Sequence, residues 1–365
     1  MKIAIGGDYA LNNRLAVCAE QWRKNRADVG LSAIAAVFHT ADLAVLNFEG
    51  SMRSGGAVPP AHAPGKVIVE SPELAAVVAR ELGARAVSLA NNHAFDLGPS
   101  NLERLPRHGL GCFGGGPTAQ TAARPLILEV AGARIALIGW VDRRSIVGVW
   151  AEGNSPGANA CRPDELVAAV RDARSASDVV IVVPHWGRDF ILYPSPAMRS
   201  LARQLVDAGA DAVVGTHSHI LGCMERHRDR PILYSTGNLL LDDVEDPLEG
   251  LRAFFPASTS ALAVLDLSAG RADLALQALR CARGTVRPRP AVEAIAIVER
   301  NSRPLSRPDY DAWYAAYERG MMRWGVRWRL NWRGLVERPG PTVRRLVRRF
   351  AGLFTAGSPG RASGV

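Results

Sequence analysis

Five short apolar runs in this 365-residue chain end in side chains that can bind metal ions or move protons. Lys2–Ile5 runs into Gly6-Gly7-Asp8, and Leu43–Leu46 into Asn47-Phe48-Glu49-Gly50. Ala86–Ala90 ends in Asn91-Asn92-His93, with Asp96 close behind. Val179–Val183 ends in Pro184-His185-Trp186-Gly187, and Ala212–Val214 in Gly215-Thr216-His217-Ser218-His219. This mix of carboxylate, amide and imidazole donors suits Zn, Mn, Fe or Co; Ca calls for an all-oxygen cage and structural Zn for thiolates. His217-x-His219 would place two imidazoles on one side of an extended segment. A two-metal centre needs a carboxylate bridging ions about 3.5–4 Å apart, a part that Glu49 or Asp8 can fill. Such a centre clamps a phosphate and acidifies water. His93, beside Asn92, is placed to meet a phosphoryl oxygen or a leaving group, and Asp96 to orient that imidazole. Asn91 reads as a turn residue. His39, His62, His108 and His227 lack any such context and read as ordinary histidines.

The elements that must position these residues follow from the same pattern. Over the first ~280 residues, short apolar runs alternate with helical patterns, which predicts α/β architecture. Strands are expected at 2–5, 43–46, 86–90, 179–183, 212–214 and 232–234. Hairpins are expected at 126–139, around Ala131-Gly132-Ala133, and at 261–279. Helices are expected at 31–38, 99–108, 164–176 and 195–208, and from a Ser71 cap with Pro72 at the first turn to Leu82. Gly6-Gly7-Asp8 reads as a turn, Gly114–Gly116 as a break, and 51–66 as a loop. A strand delivers its last residues to the rim where it leaves the core. In α/β sheets, ligand sites lie outside the carboxyl ends of the strands. Five such ends can converge on one point.

The bulk composition separates this region from the C-terminus. The net charge is +9, and residues 319–349 carry all of it: ten arginines against one acid, Glu337. The basic balance therefore describes a tail. Val343, Leu346, Val347, Phe350, Leu353 and Phe354 recur at helical spacing, with Arg344, Arg345, Arg348 and Arg349 on the opposite face. Trp324, Trp328 and Trp332 precede them. This is the pattern of a helix lying on an anionic membrane surface. Packing of the stripe on the main domain, or self-association, is the alternative; nucleic acid would leave the stripe without a role. Residues 355–365 are Gly/Ser/Pro-rich and read as disordered. Five scattered cysteines with no CxxC spacing argue against disulfide frameworks and zinc ribbons. No apolar run reaches about 18 residues and Lys2–Ile5 is too short for a signal segment. The expected location is the cytoplasm, with the tail reaching the inner membrane face.

The motifs GGD (6–8), NFEG (47–50), SLANNHAFDLG (88–98), PHWG (184–187), GTHSHI (215–220) and YSTGN (234–238) also carry a resemblance. Together and in this order they resemble the bacterial capsule synthesis CapA (poly-γ-glutamate synthesis) family of the calcineurin-like metallophosphoesterase superfamily. The resemblance covers roughly residues 1–280. It implies a four-layer α-β-β-α metallophosphatase-like sandwich with metals at the loop edge. It implies that Asp8 and His219 hold one ion, that Asn92, His185 and His217 hold the other, and that Glu49 bridges them. His93 would match the catalytic histidine. The superfamily's opening Asp-x-His is here Asp8-Tyr9-Ala10, so one ligand of that pattern is missing.

The domains expected are 1–285, the CapA-type domain; 286–354, an Arg/Trp-rich helical extension; and 355–365, the tail. The function expected is a phosphoesterase-type hydrolase with one or two divalent ions (Mn, Zn or Fe), acting on a phosphorylated or polymer-related substrate in capsule or envelope polymer synthesis. The alternatives are a non-catalytic, metal-bound accessory subunit of a polymer synthase or export complex, and a nuclease of the same superfamily.

Overall fold

Side chains alternate along a strand, and the apolar residues of the first strands divide by that parity. Ile3, Ile5, Leu43, Val45 and Ala86 enter one buried cluster, whereas Ala4, Ala44, Leu46 and Val87 enter another on the opposite face. The computed structural model in which this is seen describes residues 1–11, 13–26, 29–53, 69–144, 146–241, 259–268, 271–282 and 285–321.

In chain order the strands are β1 (Lys2–Tyr9), β2 (Leu43–Phe48), β3 (Ala86–Ser88), β4 (Gly111–Phe113), β5 (Gly115–Gly116), β6 (Leu126–Val130), β7 (Ala133–Val141) and β8 (Gly157–Ala158). They continue as β9 (Val179–His185), β10 (Ala212–Val214), β11 (Met224–His227), β12 (Arg230–Leu233), β13 (Asn238–Leu240), β14 (Thr259–Ser268), β15 (Arg271–Ala282) and β16 (Thr285–Pro288). The helices are α1 (Asn13–Asn25), α2 (Val29–Thr40), α3 (Leu74–Leu82), α4 (Asn101–Arg107), α5 (Ala119–Ala122), α6 (Pro163–Ala176), α7 (Pro196–Asp207) and α8 (Ala291–Ser302).

Two sheets form. The first runs β16-β15-β14-β1-β2-β3-β4, with β13 also pairing β1; the second runs β11-β12-β10-β9-β7-β6. Each has a parallel centre, β1-β2-β3-β4 and β12-β10-β9-β7, and antiparallel edges. The cluster holding Ile3 and Val45 also holds Ile135, Leu137, Ile181, Val183, Ala212 and Val214, so the two sheets pack face to face. The far side of the first sheet is covered by Leu15 and Trp22 of α1, Ile34 and Phe38 of α2, and Val78 and Leu82 of α3. α6 and α7 pack on the second sheet. The result is a four-layer α-β-β-α sandwich. Each fully buried Leu, Ile or Phe contributes about 1.5–3 kcal/mol to it.

Three local expectations are corrected. Gly6-Gly7-Asp8 is strand, not turn. The residue before β13 lies so close to β1 that a Cβ on Gly7 would sit 1.8 Å from the Gly237 carbonyl oxygen; the glycine serves close approach. Gly115–Gly116 likewise pairs with β8 and does not break the chain. Ser71 does not cap α3, whose N-cap is Glu73; the Ser71 hydroxyl accepts from Leu11 N–H at 3.2 Å. Ser195 does cap α7, accepting from Met198 N–H. Cys112, Cys161 and Cys223 carry thiols rather than disulfides.

The first compact unit runs from Met1 to Pro308 and so contains β16 and α8. The second, Asp309–Val365, is described over 309–321 and is helical over 310–321. On that helix the Trp313 and Tyr317 rings stack with centroids 5.7 Å apart. No helix among the described residues is long and apolar enough to cross a membrane. Trp324, Trp328, Trp332, the stripe at 343–354, the tail at 355–365 and most of the loop at 51–66 lie outside the described residues.

Candidate metal centre

Five strand ends do converge. β1 carries Asp8 and β2 is followed by Glu49; the turn after β3 holds Asn92 and His93. β9 closes with His185, and the segment after β10 holds His217 and His219. The first sheet thus supplies carboxylate and amide oxygens, and the second supplies imidazoles. A register shift between Ile5 and Asp8 in the β1–β2 ladder turns Asp8 into the rim.

Asp8 and Glu49 are both fully buried. Asp8 is well supplied with donors: Asn47 Nδ2 reaches Oδ1 at 2.8 Å and His217 N–H reaches Oδ2 at 3.2 Å. His219 Nδ1 lies 3.4 Å from Oδ2. Burial works to raise the Asp8 carboxyl, but the His219 contact and the charges of His185 and His219 hold it well below the usual carboxylate range. Glu49 is the opposite case. No hydrogen-bond donor reaches either of its oxygens, and His185 Nε2 stands off at 3.5 Å. Burial, then the charge of Asp8, push its carboxyl well above the usual range. Two carboxylates in one dry site cannot both ionise without a cation beside them.

His185 is buried and held at both nitrogens. Nδ1 lies 2.9 Å from Thr216 Oγ1, and Nε2 lies 2.8 Å from Asn92 Oδ1. Burial, and then neighbouring His217, lower its pKa well below the ordinary imidazole value. Burial also lowers His217 to about 4, against the opposing pull of Asp189. Both imidazoles are neutral near pH 7, the form that binds metal.

The expectation of an extended His217-x-His219 segment is corrected. His217 has φ +94° and His219 φ +59°, so both sit in the left-handed region. Such a backbone costs about 1–3 kcal/mol per residue and is found where function requires it. It leaves the two rings 6.0 Å apart, with His217 also 4.6 Å from the His185 ring. His217 Nδ1 is buried and has no hydrogen-bond partner.

Ligand atoms of Asp8, Glu49 and His185 lie within 4.8 Å of one another, and so do those of Glu49, His217 and His219. Glu49 belongs to both sets. Its bare oxygens, the bare Nδ1 of His217 and the mixed oxygen–nitrogen donors fit divalent ions of the Zn, Mn and Fe class. The structure brings together all six residues proposed from sequence as ligands.

His93 and Asp96 sit in the turn after Asn92, with His93 Nδ1 2.7 Å from Asp96 Oδ2. Asp96 is fully buried and also accepts from Val69 N–H. Asn91 does shape the turn, since its Oδ1 accepts from His93 and Ala94 N–H. Its Nδ2 has a second role, donating to Asn47 Oδ1 and the Phe48 carbonyl. Three residues at the site have no role assigned from the sequence. Asn47 links Asp8 to Asn91, Asn238 contacts His219 Nδ1 at 2.8 Å, and Asp189 lies 3.4 Å from His217 Nε2. Asn47 and Asn238 stand inside quoted motifs, so their signal was present; Asp189 had none.

The model of the bacterial capsule synthesis protein PGA_cap family matches residues 2–243. The chain is similar to the capsule biosynthesis protein CapA of Bacillus anthracis, 32% identical over 171 residues, covering 45% of this chain and 41% of that one. It is similar to a probable polyglutamine synthesis accessory protein of Mycobacterium tuberculosis, 31% identical over 180 residues, covering 45% and 46%. The chain thus spans less than half the length of these curated relatives. Among solved structures, a phosphatase of Mycoplasma pneumoniae aligns over 80% of this chain and 96% of its own, with 13% identity and a TM-score of 0.49.

Proposed function

The chain belongs to the bacterial capsule synthesis protein PGA_cap family, and from that membership and the rim geometry we propose that it is a metal-dependent phosphoesterase-type enzyme of capsule or envelope polymer synthesis. The observation that carries the catalytic part is Glu49: a fully buried carboxylate with no donor on either oxygen, shared by two sets of metal-capable side chains.

Asp8, Glu49, Asn92, His185, His217 and His219 would hold one or two divalent ions. Ions there would supply Lewis acidity toward a phosphoryl oxygen and toward water. The remaining work belongs to the chain. Asn47 and the His217 amide hold Asp8 in place. Thr216 fixes His185 through Nδ1, which keeps Nε2 toward Asn92 and Glu49. Asp96 holds the His93 ring through Nδ1, so that Nε2–H can meet the leaving oxygen and give up its proton. The purified full chain should contain at least one Mn or Zn per molecule and cleave a generic phosphoester, with both lost in His217→Ala. Less than one ion per chain, together with no ester cleavage, would overturn the proposal.

A non-catalytic accessory role is the second reading, and one observation favours it. The position that carries the superfamily's second opening ligand is Ala10, fully buried in an apolar cluster with Val69 and Leu241. The mycobacterial relative is itself described as an accessory protein. A chain that binds metal at these residues yet cleaves no phosphoester would move the assignment there.

A further inference from the structure

Three imidazoles at the rim have Nδ1 set by a polar neighbour. For His185 it is Nδ1 with Thr216 Oγ1 at 2.9 Å, and for His219 it is Nδ1 with Asn238 Oδ1 at 2.8 Å. For His93 it is Nδ1 with Asp96 Oδ2 at 2.7 Å. His217 is arranged the other way round. Its Nδ1 is buried and unpartnered, while Nε2 lies 3.4 Å from Asp189 Oδ1. A histidine that ligates a metal commonly donates its other N–H to a carboxylate, which fixes the tautomer and raises the basicity of the ligating nitrogen.

The loop that carries Asp189 is tied to the histidine segment. Left-handed residues at Gly187 (φ +85°) and Phe190 (φ +59°) double the chain back after β9. Phe190 N–H then donates to the Ser218 carbonyl at 3.0 Å, between the two histidines. The Phe190 ring lies 5.8 Å from the His219 ring. These anchors set Asp189 on the outer edge of the pair, 3.8 Å from His219 Nε2 as well. Its side chain is 59% exposed, so changing it leaves no hole in the core.

We infer that Asp189 is the positioning residue of His217: its carboxylate accepts the Nε2–H and thereby keeps Nδ1 as the metal-facing nitrogen. This rests on the metal-binding reading above. Without Asp189 the imidazole would divide between its two tautomers, and one of them presents an N–H to the ion.

The test uses the full chain labelled with 15N-histidine, as wild type, Asp189→Ala and Asp189→Asn. Long-range proton–nitrogen NMR of the metal-stripped protein should show His217 as the Nε2–H tautomer in wild type and as a mixture in Asp189→Ala. Mn affinity, measured by competition with a chelating dye, should weaken by about 10–100-fold in Asp189→Ala. Asp189→Asn, whose amide oxygen still accepts a hydrogen bond, should stay close to wild type in both. Cobalt spectra at saturation should be the same in wild type and Asp189→Ala. Unchanged tautomer and affinity in Asp189→Ala overturn the inference. So does an altered cobalt spectrum, which would make Asp189 a ligand. A wild type that binds no ion fails the proposed function alone, because the tautomer measurement still decides the role of Asp189.

Discussion

Asp8 and Glu49 are both fully buried in the same rim, yet donors surround Asp8 and none reaches Glu49. A buried carboxylate in that state is tolerated only protonated or beside a cation. Replacing it with its neutral isostere separates the two. Glu49→Gln should lower metal affinity by on the order of 100-fold or more, beyond the effect of an outer-shell change. In chelator the same variant should melt no lower than wild type. Calorimetry with and without chelator, beside metal analysis, checks both halves.

His93 and Asp96 form a pair whose loss should leave the ions in place. His93→Ala should reduce phosphoester turnover by about 10²–10⁴-fold, the usual contribution of a positioned proton donor. Asp96→Asn should cost less, about 10–100-fold. Metal content should be unchanged in both, and equal loss of metal and turnover would remove His93 from the chemistry.

Away from the rim, Glu225 accepts from Arg199, Arg203 and the Tyr234 hydroxyl at 2.7–3.2 Å. Burial works to raise its carboxyl, but the two guanidinium groups and the hydroxyl win and hold it below the ordinary value of 4.5. A depressed folded value means stability that is fully present above pH 4.5 and lost as pH falls through the folded pKa. Glu225→Gln should therefore destabilise the protein by about 1.5–3 kcal/mol at pH 7. That gap should narrow as the acid limb is entered, as urea denaturation at pH 7 and pH 3.5 would show.

We propose that the arginine-rich tail binds anionic membrane, and charge reversal tests it in the full chain. Replacing Arg344, Arg345, Arg348 and Arg349 with Glu should release the protein from phosphatidylglycerol vesicles in co-sedimentation. At about 1 kcal/mol for each lost arginine, the change should exceed 10²-fold, roughly the Boltzmann factor of that energy. Binding to neutral vesicles alone, or no change on reversal, would sink the membrane role.

How far the sequence could be read depended on whether the cause was local. Strand ends such as Val183 to His185 were legible because period and polarity change at one place in the chain. The strand character of Gly6-Gly7 was not, because its cause is Gly237, more than two hundred residues away. The left-handed backbone of His217 and His219 was equally hidden. A non-glycine residue adopts it in only a few per cent of cases, and nothing in the neighbouring residue types announces it. Ser71 offered a helix cap by its type, but Leu11 N–H, distant in sequence, took the hydroxyl. Asp189 carried no motif of its own; its place follows from Phe190 bonding to Ser218.

Oxygen donors arrive at the rim on one sheet and imidazoles on the other. Each set of metal-capable side chains therefore draws on both halves of the sandwich. Metal uptake becomes a reporter of folding: it should begin only when the two halves have docked, and lag behind strand formation in a refolding chain. The ion would also act as a rivet across the inter-sheet core, binding the folded form alone and raising its stability by mass action. Stripping it should loosen the junction between the sheets before either sheet frays.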